Sequence, residues 1–582
     1  MGYARSDSSL IARLDDFGGA QPIDLAEAIG ASAGVNTEPF VLLDVSGIGQ
    51  SILGTPFGQN RSRQWNLVDT VHLALGHQNL QLGVDFRHIK SPLTPPDSEP
   101  FGEFLSPASM LAGTSDATVF IANKPSTPVF NELALFAQDE WRIQPRLSLS
   151  LGLRWEFDPP PTEQHGFDAF TILGNLADPA SLQLAPRGIS LWRSTYYNFA
   201  PRLGVAWIAN DASGKQTVVR AGGGVFFDTA NEIAALGYSS LGFFAQQIGV
   251  GVPIPYTSSE LNVPISLTPP YDSAPIIAFP AHLQLPYTLE WSASLQQELG
   301  PHQFFTVNYV GANGRRLLNL QEFDLSQLNP HFETVEYPAP GITSNYQALE
   351  FQLQRSVSRG LQALASYTWS HAIDFGSQSY TLPLQRGDSD FDVRQNFQGA
   401  ISWDLPNPRS KSIVSLAVRG WGLDARLSTH SAFPVTLNGS VTTDPGTGAI
   451  YNGNLNLVPD QPIYIHGHQF PGGRSINPAA FCLPNSCTGT TAPRNFTRGF
   501  STTQFNTALR RTFPVYDQLH LQFRAEVFNL FNHPNFGYID PTYTDATFGQ
   551  AIKMLNASLG TMASQYQQGG ARSMQFALRL TF

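Results

Sequence analysis

Charge is scarce in this sequence of 582 residues: only 14% are Asp, Glu, Lys or Arg, where an ordinary soluble domain carries about 25%. The length would fill three or four soluble domains at roughly 150 residues each, and the composition argues against them. A basic excess is missing too. Acids outnumber bases 45 to 34 and the net charge is −11, which excludes the basic face that a nucleic-acid partner wants. Cysteine is nearly absent, with Cys482 and Cys487 alone, too few for a disulfide scaffold. No stretch approaches the roughly 18 uncharged apolar residues of a membrane-spanning helix. The most apolar one, around Ile233 to Pro255, is broken by Ser, Gln and Pro. Met1 is followed by GYARSDSSL, without the basic, apolar and small-residue regions of a signal peptide. For an exported protein, that implies a piece beginning downstream of the true start.

Aromatics, by contrast, make up 12% of the chain, with 40 Phe, 18 Tyr and 9 Trp, the opposite of a disordered composition. A chain poor in charge, rich in aromatics and lacking a spanning helix has one membrane option left. That option is the β-barrel, which needs repeated segments of about ten residues with strict apolar/polar alternation. In LSLSLGLRWEF, Leu147, Leu149, Leu151, Leu153, Trp155 and Phe157 share one face, and Ser148, Ser150, Gly152, Arg154 and Glu156 share the other. In YTLEWSASLQQEL, Tyr287, Leu289, Trp291, Ala293 and Leu295 alternate with Thr288, Glu290, Ser292, Ser294 and Gln296. The same pattern sets Leu521, Phe523, Ala525 and Val527 against His520, Gln522, Arg524 and Glu526. A lysine or arginine on the lipid face at mid-bilayer would cost about 2–4 kcal/mol. Arg154, Glu156, Glu290, Arg524 and Glu526 are therefore expected to face a lumen.

Connections alternate in length. Short ones fall at 76–79, 144–145, 210–216, 300–303, 358–360 and 513–518; long ones fall near 11–63, 90–130, 158–198, 228–286, 311–345, 372–393, 432–503 and 531–571, and their Pro, Gly, Ser and Asn predict irregular loops. Short periplasmic turns with long outer loops are the outer-membrane pattern, and counting runs this way predicts about sixteen strands. A soluble propeller would show a repeat of about 40–50 residues, which the sequence lacks. The expected fold is all-β, a transmembrane antiparallel barrel occupying residues 1–582. Aromatics mark strand ends: Trp65, Trp155, Phe227, Tyr287, Trp369 and Trp421 adjoin long loops, and Trp141, Trp207 and Trp403 adjoin short turns. Two aromatic girdles would give this placement. The chain stops on SMQFALRLTF, with Phe576, Leu578, Leu580 and Phe582 on one face, like the segment by which outer-membrane barrels are recognised for insertion.

Several phrases together resemble the Oar-like TonB-dependent receptors of the outer membrane, of acidobacterial type. They include LQLGVDFRHIK from Leu80, LALFAQDEWRIQPRLSLSLGLRWEFDPPP from Leu133, VNYVGANGRRL from Val307, DSDFDVRQNF from Asp388 and LQFRAEVFNLFNHPNFG from Leu521. The resemblance implies a barrel of about 22 strands behind a carboxypeptidase-regulatory-like sandwich and a plug. Neither of these, nor a TonB-box-like segment, is recognisable here. It also implies outer-membrane lipid and lipopolysaccharide as surroundings, assembly by the barrel-assembly machinery, and a TonB complex reached only through the plug. The cargo would be a small-molecule or oligomeric solute.

Other residues that could carry chemistry lack the partners it needs. The triple glycine at 222–224 lacks the Gly-Lys-Ser/Thr of a phosphate loop and reads as a place of close backbone approach. His466 and His468 lack a second ligand pair. Asp388, Asp390 and Asp392 form half of a calcium loop without its closing Glu. Cys482 and Cys487 suit a local disulfide on an oxidising surface. His371, His430 and His520 fall on strands without a nucleophile beside them, so neither an enzyme nor a cofactor or metal site is expected. Two classes fit the strand count: energy-coupled uptake through a gated barrel, and a passive porin or a structural or adhesive surface barrel; the resemblance implies the first.

Overall fold

A computed structural model of the chain describes residues 2–12, 19, 21, 40–45, 49–95, 98–376, 384–407, 419–439, 441–443, 448, 450–484, 486, 487, 489–516, 519–555 and 570–582. Its backbone is dominated by one antiparallel meander of sixteen strands. The first eight are β1 (Gly2–Ala12), β2 (Gly49–Leu75), β3 (Gln78–Lys90), β4 (Pro128–Gln144), β5 (Leu147–Phe157), β6 (Asn198–Asn210), β7 (Thr217–Phe227) and β8 (Tyr287–Glu298). The rest are β9 (Gln303–Asp324), β10 (Thr334–Ser358), β11 (Leu361–Asp374), β12 (Gln395–Asp404), β13 (Trp421–His430), β14 (Thr502–Tyr516), β15 (Leu519–Phe528) and β16 (Ser573–Thr581). Each pairs with its sequence neighbour in this series. Among the described residues, no strand pairs with the outer edge of β1 or of β16.

The register carries the alternation across the sheet. Trp207, Val205, Leu203 and Phe199 on β6 oppose Leu147, Leu149, Leu151 and Trp155 on β5. On β15 and β16, Leu521, Phe523 and Ala525 oppose Leu580, Leu578 and Phe576. Side chains on this apolar face are largely exposed, so the wall has no core of its own behind it. Polar residues such as Gln81, Asp85, Arg154 and Arg524 occupy the other face, the inside of the curved sheet. Two acids break the expectation that charge keeps to the polar set. Asp69 opposes Val84 and Asp139 opposes Leu80 and Leu151, both on the apolar face. Close approach explains the glycines: the Trp291 indole occupies the space a Cβ on Gly311 would fill, and the Phe136 ring does the same at Gly83.

The long connections are not the irregular loops that proline and glycine suggested. β2 begins at Gly49, inside the expected 11–63 loop, and is preceded by a strand at Phe40–Val45. The 90–130 loop holds strands Ser98–Phe104 and Thr114–Asn123, and the 228–286 loop holds a helix at Asn231–Leu236 and a strand at Phe244–Pro253. The expected 311–345 loop is the extended arm of the β9–β10 hairpin, interrupted by a bulge between Gly314 and Leu317. Burial drives this. Phe120, Val252, Tyr256 and Leu261 form one core, Leu191, Trp192, Tyr238, Phe279 and Leu285 a second, and Leu325, Phe332 and Val335 belong to a third. Leu455, Phe481 and Phe548 anchor a fourth within the 431–501 and 529–555 segments. All four cores involve the long-loop segments, which together make a cap on one end of the barrel.

Candidate functional site

The inner wall is organised around two ladders of paired charges. In the first, Arg87 on β3 meets Asp85 at 2.9 Å and Glu132 on β4 at 3.7 Å. Arg154 on β5 reaches Asp85 at 3.3 Å and Glu156 at 2.7 Å. Register places them so, because Arg87 opposes Glu132 and Glu156 opposes Ala134. Just beyond β5, burial pushes the Asp158 carboxyl up to about 7, and repulsion from Glu132 and Glu156 adds to the shift. The Asn231 amide donates to Glu132 at 2.7 Å, tying the cap's helix to the wall.

The second ladder lies on the last strands. Arg510 pairs with Asp404 at 2.7 Å and Asp424 at 3.3 Å, and Arg524 pairs with Asp424 at 2.6 Å and Glu526 at 2.7 Å. The Ser402 hydroxyl donates to Asp424 at 2.7 Å. A recess of about 530 Å³ opens beside it, lined by Leu364, Ala400, Asp424, Arg426, Asn506 and Glu526. Of the expected lumen residues, Arg154 and Glu156 thus come together, as do Arg524 and Glu526. Glu290 stands apart, exposed opposite Gly224 and Ala312. Sequence reasoning missed Asp85, Arg87, Asp424 and Arg510, although each sits on the polar parity of a recognisable alternating run.

At the mouth, the DSDFDVR segment is spent on arginines rather than on an ion. Arg494, its side chain wholly buried, bridges Asp374 at 2.7 Å and Asp390 at 2.8 Å. Arg498 pairs with Asp388 and with Asp392, and Arg394 reaches Asp392 at 2.7 Å and Asp388 at 3.3 Å. His371, Asp388 and Asp392 bring ligand atoms within 4.8 Å of one another. Two guanidinium groups already neutralise both carboxylates, so the donor set does not suit a metal ion. Burial pushes the Asp392 carboxyl up, but the Ala372 N–H, Arg498, His371 and Arg394 outweigh it and hold it below the usual range. Since Arg494 and Arg498 lie just before β14, the cluster clamps the 431–501 segment onto the ends of β11 and β12. Cys482 and Cys487 form a disulfide, with Cα atoms 6.2 Å apart, in the cap region built around Phe481.

The aromatic residues sort by end of the barrel. Trp141, Trp207 and Trp403 lie toward the short turns, and Trp155, Tyr287 and Trp369 toward the cap. Trp155 donates its indole N–H to the Tyr196 carbonyl at 2.7 Å. Trp421 was expected beside a long loop and instead opens β13 at the short-turn end. There it opposes Arg511, whose guanidinium stacks 5.2 Å from its ring and 4.5 Å from that of Phe513. The reason is connectivity: β12 runs down to Asp404 and β13 starts back up from Trp421, so both of these strand ends lie with the short turns. At the other terminus, Phe576, Leu578 and Leu580 stand exposed on the outer face of β16, and Phe582 follows it.

One protein family, described as outer membrane beta barrel domain, matches residues 1–575. A search of curated proteins finds no match. Among solved structures, the chain is similar to the outer membrane transporter YddB of Escherichia coli, with 10% identity and a TM-score of 0.45, covering 93% of this chain and 57% of that one. It is similar also to the ferric-catecholate import receptor Fiu of Escherichia coli (8% identity, TM-score 0.45, 92% and 56% covered). A third is the siderophore receptor PiuA of Acinetobacter baumannii (10% identity, TM-score 0.44, 90% and 56% covered). The chain spans a little over half the length of each.

Proposed function

From the premise that this chain belongs to the outer membrane beta-barrel domain family and lies in the outer membrane, we propose that it is the barrel of an Oar-like TonB-dependent receptor. In this reading the barrel takes up a solute by energy coupling, and a plug supplied by polypeptide outside these residues meets the lumen wall. The observation that carries it is a polar inner wall of paired charges under a folded, clamped cap. Charges already paired with one another leave a hydrated wall without a strong trap, against which a plug could slide and a solute could pass. The folded cap supplies a selective mouth, where passive diffusion would want an open one. Mixed charge suits a siderophore, a glycan or a peptide alike.

A passive porin, or a structural or adhesive barrel, is the competing reading. The coding sequence immediately upstream of Met1 separates them. A plug-like domain preceded by a signal peptide supports the receptor, and a signal peptide directly ahead of residue 2 supports the porin. Function gives a second test in cells expressing residues 1–582 alone. The receptor reading expects no solute accumulation that depends on the proton-motive force, and such accumulation would overturn it.

A further inference from the structure

On the outer face of β1–β3, three cations stand in one row. Arg5 on β1 opposes Arg63 on β2, and Arg63 opposes Lys90 on β3. Two residues nearer the short turn on the same face lies the row of Tyr3, Trp65 and His88, in which the Tyr3 and Trp65 rings meet with centroids 4.7 Å apart. Below that come Leu67 and Phe86, then Asp69 and Val84, then Val71 and Leu82. The register from Arg63–Lys90 to Leu75–Gln78 contains no shift, so Arg63 and Lys90 point the same way as these apolar side chains. They face away from the lumen.

Height follows from strand geometry. Trp65 lies ten residues from the end of β2, which at about 3.4 Å per residue and a tilt of roughly 40° puts it about 25 Å up the barrel axis. That matches the apolar band of a membrane barrel, about 25 Å tall and bounded by aromatic rings. The Arg5–Arg63–Lys90 row therefore sits just above the hydrocarbon on the long-loop side, at the level of the outer leaflet's headgroups.

The arrangement is electrostatically unfavourable by itself. Directly opposed residues have Cβ atoms about 4.5–5.5 Å apart, and like charges there destabilise a sheet. Arg5 has Asp7, to which its Nε donates at 3.0 Å. Arg63 and Lys90 make no ion pair among the described residues; Asp7 is the acid beside them, itself opposite Arg61, and Asp69 lies three rows below Arg63 on the same face. Water alone screens such a cluster poorly at a lipid interface, where anionic headgroups attract basic side chains by about 1 kcal/mol each.

We propose that Arg5, Arg63 and Lys90 form a binding strip for a phosphate group of lipopolysaccharide, with Tyr3, Trp65 and Phe86 contacting its acyl chains. Arg supplies a bidentate fork that matches phosphate oxygens, and Lys adds a point charge beside it. The basic row over aromatic and apolar rows follows the order of the ligand itself, phosphate outermost and hydrocarbon beneath.

The test is lipid binding by the detergent-purified chain, read by native mass spectrometry as retention of bis-phosphorylated lipid A, monophosphoryl lipid A or phosphatidylglycerol. Wild type is expected to retain bis-phosphorylated lipid A best, and the double variant Arg63→Ala, Lys90→Ala to lose about tenfold or more. A tenfold change corresponds to about 1.4 kcal/mol, one charge-assisted contact. Arg63→Lys should retain intermediate binding. Arg511→Ala, a cation on the same face at the short-turn end, should change nothing, and heat-modifiable migration in gels checks that each barrel is folded. Unchanged retention by the folded double variant would overturn the strip. Equal retention of phosphatidylglycerol by wild type would overturn its assignment to lipopolysaccharide.

Discussion

On the barrel wall, Leu203, Leu353 and Leu578 stand 55%, 43% and 71% exposed, whereas in the cap Leu283, Leu325 and Leu455 are at most 1% exposed. The residue type is the same, so the difference lies in what surrounds each region. Leaving a leucine in water forfeits roughly 1.5–3 kcal/mol of burial, and a wall repeating that exposure over many strands would be untenable outside lipid. The cap follows the opposite rule. Its apolar residues pack against one another because water is its solvent, and its cores are those of a globular protein folded onto a membrane cylinder.

The most damaging way to break this division is to release the cap from the wall. Arg494→Ala removes a buried guanidinium from between Asp374 and Asp390, a kind of loss that typically costs about 3–5 kcal/mol. Limited proteolysis of outer-membrane vesicles should then cleave the 431–501 segment much faster, while heat-modifiable migration of the barrel stays normal. If both change together, cap and wall are one cooperative unit and the comparison fails.

Leucine truncation probes the two solvents directly. Leu455→Ala opens a cavity in a cap core, with an expected cost of about 2–5 kcal/mol. Leu203→Ala replaces one lipid-facing apolar group with another, and refolding titrations into lipid vesicles should show a much smaller loss. The complementary Leu203→Arg should cost about 2–4 kcal/mol at mid-wall in the same assay. A neutral result would place Leu203 against water.

How much of this was legible follows the same boundary. Period-two alternation is local, so β5, β8 and β15 could be read directly from Leu147–Phe157, Tyr287–Leu295 and Leu521–Val527. The cap could not be, because its order comes from contacts between distant segments, such as Phe130 with Leu191 and Phe279 in one core. Proline and glycine there suggested irregular loops, yet they punctuate short strands. The clamp was half visible: DSDFDVR drew attention as an ion site, but Arg494 and Arg498, about a hundred residues on, gave no sign that they would fill it. Trp421 was misplaced because loop length alone does not say at which end of a barrel a connection lies.

Acid and base should move the junction between the two regions in opposite senses at different groups. Asp392, held below its ordinary value of 3.8, contributes stability that is present above that value and lost as pH falls through the lower folded one, so the clamp should open only in strong acid. Asp158 has the reverse sign, being raised from 3.8 to about 7. Well below pH 3.8 it is neutral in folded and unfolded chains alike. As pH rises toward 7 the unfolded chain ionises while the folded one resists, so stability at the mouth is lost progressively and the loss is complete above about pH 7. Asp158→Asn should therefore protect the mouth from protease at pH 8 more than at pH 5. Because Glu132 and Glu156 add to the shift, Glu156→Gln should reproduce part of that protection. Protection that is the same at pH 5 and pH 8 would mean Asp158 sits in water with an unshifted carboxyl, and that the cap does not close over the first charge ladder.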